Sequence, residues 1–303
     1  MTVVEPIDLM NTIEIDYSAT TSADAGLLEW DENKTDYTLE DEVKVASDKK
    51  KYKLAADTVE AGTIPKDNPT IWVSSPLSEY AMFDYENEYA TSLSGNFVGN
   101  IPNAYGIDAV FFQGVDGDTI TVTSYNTDDV EIDTNTEDIY DWDISSFGLY
   151  LFPKQAVKKE KITFDLFSLE QDKIKIEING TNIDCSYCLA GPKDQLGITL
   201  RDGIGYSQNN FYTTSRDAWG NLISTKLRLI EDVSLPVVDY NQDANINSNK
   251  TARLFAKPAL WIADDRDRSN VEFDFINIFG VLVTNSIVPG KDISEKTMKI
   301  EGK

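Results

Sequence analysis

The chain has 303 residues, 41% hydrophobic and 11% aromatic, enough apolar material for packed cores and too much for wholesale disorder. Its 52 Asp and Glu against 27 Lys and Arg give a formal charge of −25. That charge repels phosphate backbones and anionic membrane faces, so nucleic acid is not an expected partner, and the direct use of the acidity is solubility and spacing between crowded copies.

Length alone allows two or three domains at about 100–200 residues each, and the pattern along the chain predicts three after an opening arm. Residues 1–28 carry an extended Ile13-Glu-Ile-Asp16 and then small and polar residues to Gly26, which reads as an arm or tether that orders against a neighbouring subunit. The opening Met1-Thr-Val-Val-Glu-Pro has no basic head before an apolar run, and no stretch approaches the roughly 20 apolar residues of a membrane helix. The chain is therefore expected to be made and assembled in a cytoplasm, without membrane insertion. The Asn-x-Thr triplets at Asn33, Asn179 and Asn249 mean little without a secretory route.

Residues 29–79 predict a small three-stranded β module: Trp30, then Tyr37-Thr-Leu with Val43-Lys-Val45, then Lys51-Tyr-Lys-Leu54, then Ile71-Trp-Val73, separated by Asp and Lys turns. So small a unit has little core. Trp30, Tyr37, Tyr52 and Trp72 either pack on one another or line an exposed platform on which sugar rings stack. The aromatic module ends at Trp72 and a different pattern opens at Tyr80-Ala-Met-Phe-Asp84, so Trp72 to Asp84 reads as a seam between two modules.

Residues 80–189 alternate. Ala109-Val-Phe-Phe112, Thr119–Tyr125, Gly148-Leu-Tyr-Leu-Phe152, Ile162–Phe167 and Ile174-Lys-Ile-Glu-Ile178 follow at short intervals with Asp, Gly and Asn turns between them, the rhythm of a jelly-roll-like β-sandwich. Residues 190–303 predict a C-terminal β-rich domain with one short helix. Trp219-Gly-Asn221 is a hairpin tip between extended runs, the polar stretch Asp239 to Lys250 leads into the helix before Ala259-Leu-Trp-Ile-Ala263, and strands close the chain around Asp274–Val283 and Thr297-Met-Lys-Ile300.

Few residue sets suit catalysis, and no enzyme activity is expected. Without histidine no Ser-His-Asp or Cys-His relay forms within the chain. No phosphate-cradling or dinucleotide glycine motif is present, so no nucleotide cofactor is expected. Cys185-Ser-Tyr-Cys188 has the spacing of a redox pair or half a zinc site, but no further Cys or His completes four zinc ligands. It follows an alternating strand and turn rather than opening a helix, which makes both cysteines small buried strand residues. Asp116-Gly-Asp118, Asp128 to Asp133 and Glu137 to Asp143 offer carboxylates, but none has the spacing of a calcium hand, so they read as solvated turns and no metal is expected. A two-carboxylate glycosidase needs only a correctly spaced pair, and 52 acids single out none. Ala263-Asp-Asp-Arg-Asp-Arg268 reads as a loop with internal ion pairs or an inter-subunit charge contact.

Taken in order, these motifs resemble a group of tailed-bacteriophage virion proteins that join a small carbohydrate-binding-like module to a β-sandwich and a third β-rich domain. The residues that carry the resemblance are Trp30, Tyr37, Val43, Tyr52 and Trp72-Val73 in the small module, and Tyr80-Ala-Met-Phe-Asp84 at the seam. Ile107-Asp-Ala-Val-Phe-Phe112, Ala259-Leu-Trp-Ile262 and Met298-Lys-Ile-Glu-Gly302 carry it in the later domains. Glu40-Asp-Glu42 stands where a chitin- or cellulose-binding module has glycine before its valine strand. The resemblance implies a structural part of the virion tail, at the tail tip, baseplate or fibre attachment, that works by multi-copy assembly with other copies of itself and neighbouring virion proteins. The alternative is an adhesin that recognises a bacterial surface glycan through Trp30, Tyr37, Tyr52 or Trp72.

Overall fold

The computed structural model describes residues 1–20, 24, 26–34, 36–56, 63–85, 89–141, 157–166, 171–200, 202–216, 222–263 and 276–303. It is mainly β, with 53% strand and 12% helix in several antiparallel sheets. The chain divides into two units, Asp8–Leu189 and a second made of Met1–Ile7 with Ala190–Lys303.

In the larger unit, Glu42–Val45, Lys50–Leu54 and Trp72–Pro76 form the expected antiparallel run, and Leu28–Glu29 adds a short parallel strand at its edge. A five-stranded sheet follows in the order Glu131–Asp138, Thr119–Tyr125, Lys173–Asn179, Phe97–Ile101 and Glu14–Ile15. Its logic is alternation: Ile174, Ile176 and Ile178 are buried while Lys173, Lys175 and Glu177 are only partly covered, the signature of a sheet with one face in a core. Lys161–Asp165, Ala109–Gln113 and Tyr187–Gly191 form a three-stranded sheet. There Ala109 to Phe112 are buried in succession, and Phe112 meets Phe164 edge to face at 5.9 Å. The stretch expected as a seam is a 3₁₀ segment, Ser78–Phe83, with Glu79 to Phe83 all buried. Residues 29–79 and 80–189 thus lie in one unit.

The opening segment differs from the arm expected over residues 1–28. Thr2–Val4 pairs on one side with Lys193–Gln195 and on the other with Pro258–Ile262, and Met1, Val3 and Val4 are buried. Gly191 leaves room for this return: a Cβ there would lie 1.9 Å from the Glu5 carbonyl oxygen. In the larger unit, Leu9 and Ile13 are buried, Glu14–Ile15 joins the five-stranded sheet, and Asp24 accepts from Lys51 Nζ at 3.0 Å and from the Ser78 amide at 2.6 Å. The physical reason is local: Val3-Val4 and Leu9 are apolar enough to enter cores, but the runs are too short to display a period.

The smaller unit is built on an eight-stranded sheet. Its path runs Lys193–Gln195, Thr2–Val4, Pro258–Ile262, Ile278–Pro289, Ile293–Gly302, Leu222–Tyr240 and Ile198–Thr199, with Gly205–Arg216 also paired to Leu222–Tyr240. Val233, Leu235 and Val237 on one strand and Met298 and Ile300 on the next share a core with Met1, Val3 and Trp261. The expected short helix is Asn241–Arg253. Too polar to be held by an apolar stripe, it is fastened at its start by Asn241, whose Nδ2 donates to the carbonyls of Gly290 and Lys291 at 3.2 and 2.9 Å and whose Oδ1 accepts from Ser294 Oγ at 2.8 Å.

Candidate functional site

The four aromatics proposed for glycan contact do not form an open platform. Tyr37, Tyr52 and Trp72 are buried with Val43 and Leu54 in the core of the small sheet, and Trp30 packs against that cluster from a half-buried position. Tyr37 and Trp72 meet edge to face, with centroids 5.5 Å apart and planes at 82°. The Tyr52 hydroxyl donates to Asp48 Oδ2 at 3.2 Å, and burial followed by that carboxylate pushes its phenol up to about 12. Three of the four ring faces therefore meet protein rather than solvent. This corrects the platform reading for Tyr37, Tyr52 and Trp72: in so small a sheet, the large rings supply most of the bulk of a core shared with Val43 and Leu54.

The acidic turns carry local partners. Asp116 Oδ1 accepts from Tyr140 Oη at 2.7 Å and from the Gly117 amide at 3.0 Å, and Lys158 lies 3.7 Å from its other oxygen. The Tyr140 hydrogen bond holds its carboxyl below the usual range against a smaller opposing effect of burial, with Lys158 helping. Asp129 has a positive φ of 58° and pairs with Lys173, and Asn126 Oδ1 caps the same turn by accepting from the Asp128 and Val130 amides at 3.0 and 2.9 Å. Glu137 pairs with Lys159 at 2.8 Å. Among the described residues, no three Cys, Asp or Glu side chains gather as a metal would need, and no helix is long and apolar enough to cross a membrane.

Cys185 and Cys188 end one strand and lie within the next, Asn182–Cys185 and Tyr187–Gly191. Both are fully buried and free. Burial pushes both thiols up, which removes the thiolate that redox chemistry and metal binding need. Ellman's reagent is therefore expected to find no reactive thiol in the native chain and two after denaturation; rapid native labelling would overturn this assignment.

The smaller unit carries an extended β-ribbon. Gly205–Arg216 pairs with Leu222–Tyr240 from Gly205↔Ser234 to Arg216↔Leu222, with a bulge between Phe211 and Tyr212. The Ile293–Gly302 strand joins only at Asp232 to Tyr240. From Gln208↔Glu231 outward the hairpin is two strands wide, and among the described residues neither outer edge has a strand partner. Over residues 208–231 its sequence carries Arg216, Lys226 and Arg228 against Asp217 and Glu231, a small positive excess in an acidic chain. The predicted tip Trp219-Gly-Asn221, the Gly148–Phe152 strand and most of the Ala263–Arg268 charge group lie outside the described residues. Sequence reading missed the ribbon's reach, although Thr225-Lys-Leu-Arg-Leu-Ile230 gave its signal in alternation. No protein-family model, curated protein or solved structure matches this chain.

Proposed function

We propose that this protein is a structural component of a tailed-bacteriophage virion, placed in the tail and acting by assembly of several copies. The observation that carries the reading is the two-stranded ribbon beyond Gln208↔Glu231. A lone two-stranded ribbon is marginal in water and its open edges are templates for pairing, so a built-in ribbon of this length suits a chain that completes its structure against a neighbour. Tyr240, Val288 and Ile293 add exposed apolar area near the far end of the sheet. The absence of histidine and the burial of both cysteines fit a building block better than a catalyst.

In the same reading residues 80–189 are a jelly-roll-like β-sandwich, with the five- and three-stranded sheets as its layers. Residues 29–79 are a carbohydrate-binding-like module that serves as a docking unit. Immunogold electron microscopy with antibody raised against the chain is expected to label the tail end of virions carrying its gene. Replacing residues 208–230 by Gly-Gly should leave both units folded and abolish that label. Label on the head alone would overturn the tail placement, and unlabelled particles would overturn the virion reading.

A further inference from the structure

On the Leu222–Tyr240 strand the buried stripe Val233, Leu235, Val237 continues to Asp239, and on Ile293–Gly302 the stripe Ile300, Met298 continues to Lys296. Aspartate and lysine thus occupy positions where the pattern calls for apolar residues. Lys296 is 1% exposed and Asp239 3%. The Lys296 ammonium contacts Asp239 Oδ2, and Asn247 Nδ2, from the helix over this end of the sheet, donates to Asp239 Oδ1 at 3.0 Å. Asn247 is buried too, at 9%. One carboxylate therefore bridges an amine and a carboxamide in an enclosed site.

As a simple ion pair this arrangement is poor. An ammonium has three donors, and among the described residues the hydrogen bond to Asp239 is the one made by Lys296 Nζ. Among the described residues nothing replaces the rest of its hydration, which is the circumstance in which a buried charge is least stable. A secondary amide nitrogen has a single N–H and no charge, and would meet the same enclosure at much lower cost.

We propose that Lys296 and Asn247 join in an intramolecular isopeptide bond, with Asp239 as the proton carrier. Asp239 takes a proton from the Lys296 ammonium, and the freed amine lone pair attacks Asn247 Cγ to form the new N–C bond. As the tetrahedral centre collapses, the Cγ–Nδ2 bond breaks. The departing nitrogen takes one further proton, relayed from the attacking nitrogen, and leaves as ammonia. Asp239 ends as a neutral carboxyl. One ammonium, one carboxylate and one carboxamide become one amide, one carboxylic acid and ammonia, with atoms and charge balanced and no oxidant or co-reactant. Proton transfer by a group in contact with both reacting partners is ordinary general acid–base chemistry, and holding amine and carboxamide on one carboxylate supplies the proximity. The bond would fasten the strand Ile293–Gly302 to the helix Asn241–Arg253.

The test is the mass of the whole chain after denaturation, followed by tandem mass spectrometry of its tryptic digest. The expected result is a mass one ammonia below that of the sequence and a branched peptide joining Lys296 to Asn247. Asp239→Ala, Lys296→Arg and Asn247→Ala should each restore the full mass of their own sequences. Because those variants could misfold, the wild-type mass decides. Full sequence mass means an ion pair only and overturns the proposal. So does loss of one water with a Lys296–Asp239 branch, and so does loss of ammonia confined to an internal imide at Asn247.

Discussion

Deleting residues 1–7 is expected to unfold the unit that contains Ala190–Lys303 while leaving Asp8–Leu189 folded. Met1, Val3 and Val4 are buried, and full burial of such side chains is worth about 1.5–3 kcal/mol each. Their removal takes away a large share of the roughly 5–15 kcal/mol that holds a domain. The loss is larger than the side chains alone, because Thr2–Val4 fills a place between Lys193–Gln195 and Pro258–Ile262. Without it two strand edges are left unpaired inside the sheet. Hydrogen exchange read by mass spectrometry separates the units: protection should vanish across Ile278–Gly302 and persist across Lys173–Asn179. Unchanged protection in both would mean that the opening strand is dispensable, as an arm would be.

Trp72→Ala is expected to destabilise the small sheet by about 3–5 kcal/mol, the usual range for a large buried aromatic replaced by alanine. Trp72 is 1% exposed and is the largest of the five described residues buried in this core, so few of them are available to refill the space. Its loss also removes the edge-to-face contact with Tyr37. Trp72→Phe should cost much less than Ala, because it keeps a ring and deletes a buried indole Nε1 that has no hydrogen-bond partner among the described residues. Urea denaturation followed by far-ultraviolet circular dichroism gives both values. Equal, small losses for the two variants would mean that the ring is not a core element.

What was legible in the sequence followed the length of the periodic run. Ile174-Lys-Ile-Glu-Ile178 and Thr119–Tyr125 alternate for long enough to declare both strand and buried face, and both form as expected. Thr2–Val4 was illegible because three residues display no period and their partners lie about 190 and 260 positions away. The aromatics of the small module were visible as a set, but sequence cannot tell a ring that faces a core from one that faces water; burial decided it for Tyr37, Tyr52 and Trp72. Lys296 shares the parity of Met298 and Ile300 in Ile293-Ser-Glu-Lys-Thr-Met-Lys-Ile300, which placed an amine on the apolar face. That clue was readable, but its carboxylate partner sits on another strand, 57 positions away.

The strand Thr2–Val4, wedged between Lys193–Gln195 and Pro258–Ile262, also sets the order in which the molecule can be born. Its partners follow it by about 190 and 260 positions, so both leave the ribosome long after it does. The described strands of Asp8–Leu189 pair with one another, so this unit can close while synthesis continues. The other unit must hold Thr2–Val4 unpaired until Pro258–Ile262 arrives, a long-range closure that favours slow folding. During that interval Val3-Val4 is exposed and needs shelter from other nascent copies, so crowding of unfinished chains would penalise this half of the protein first.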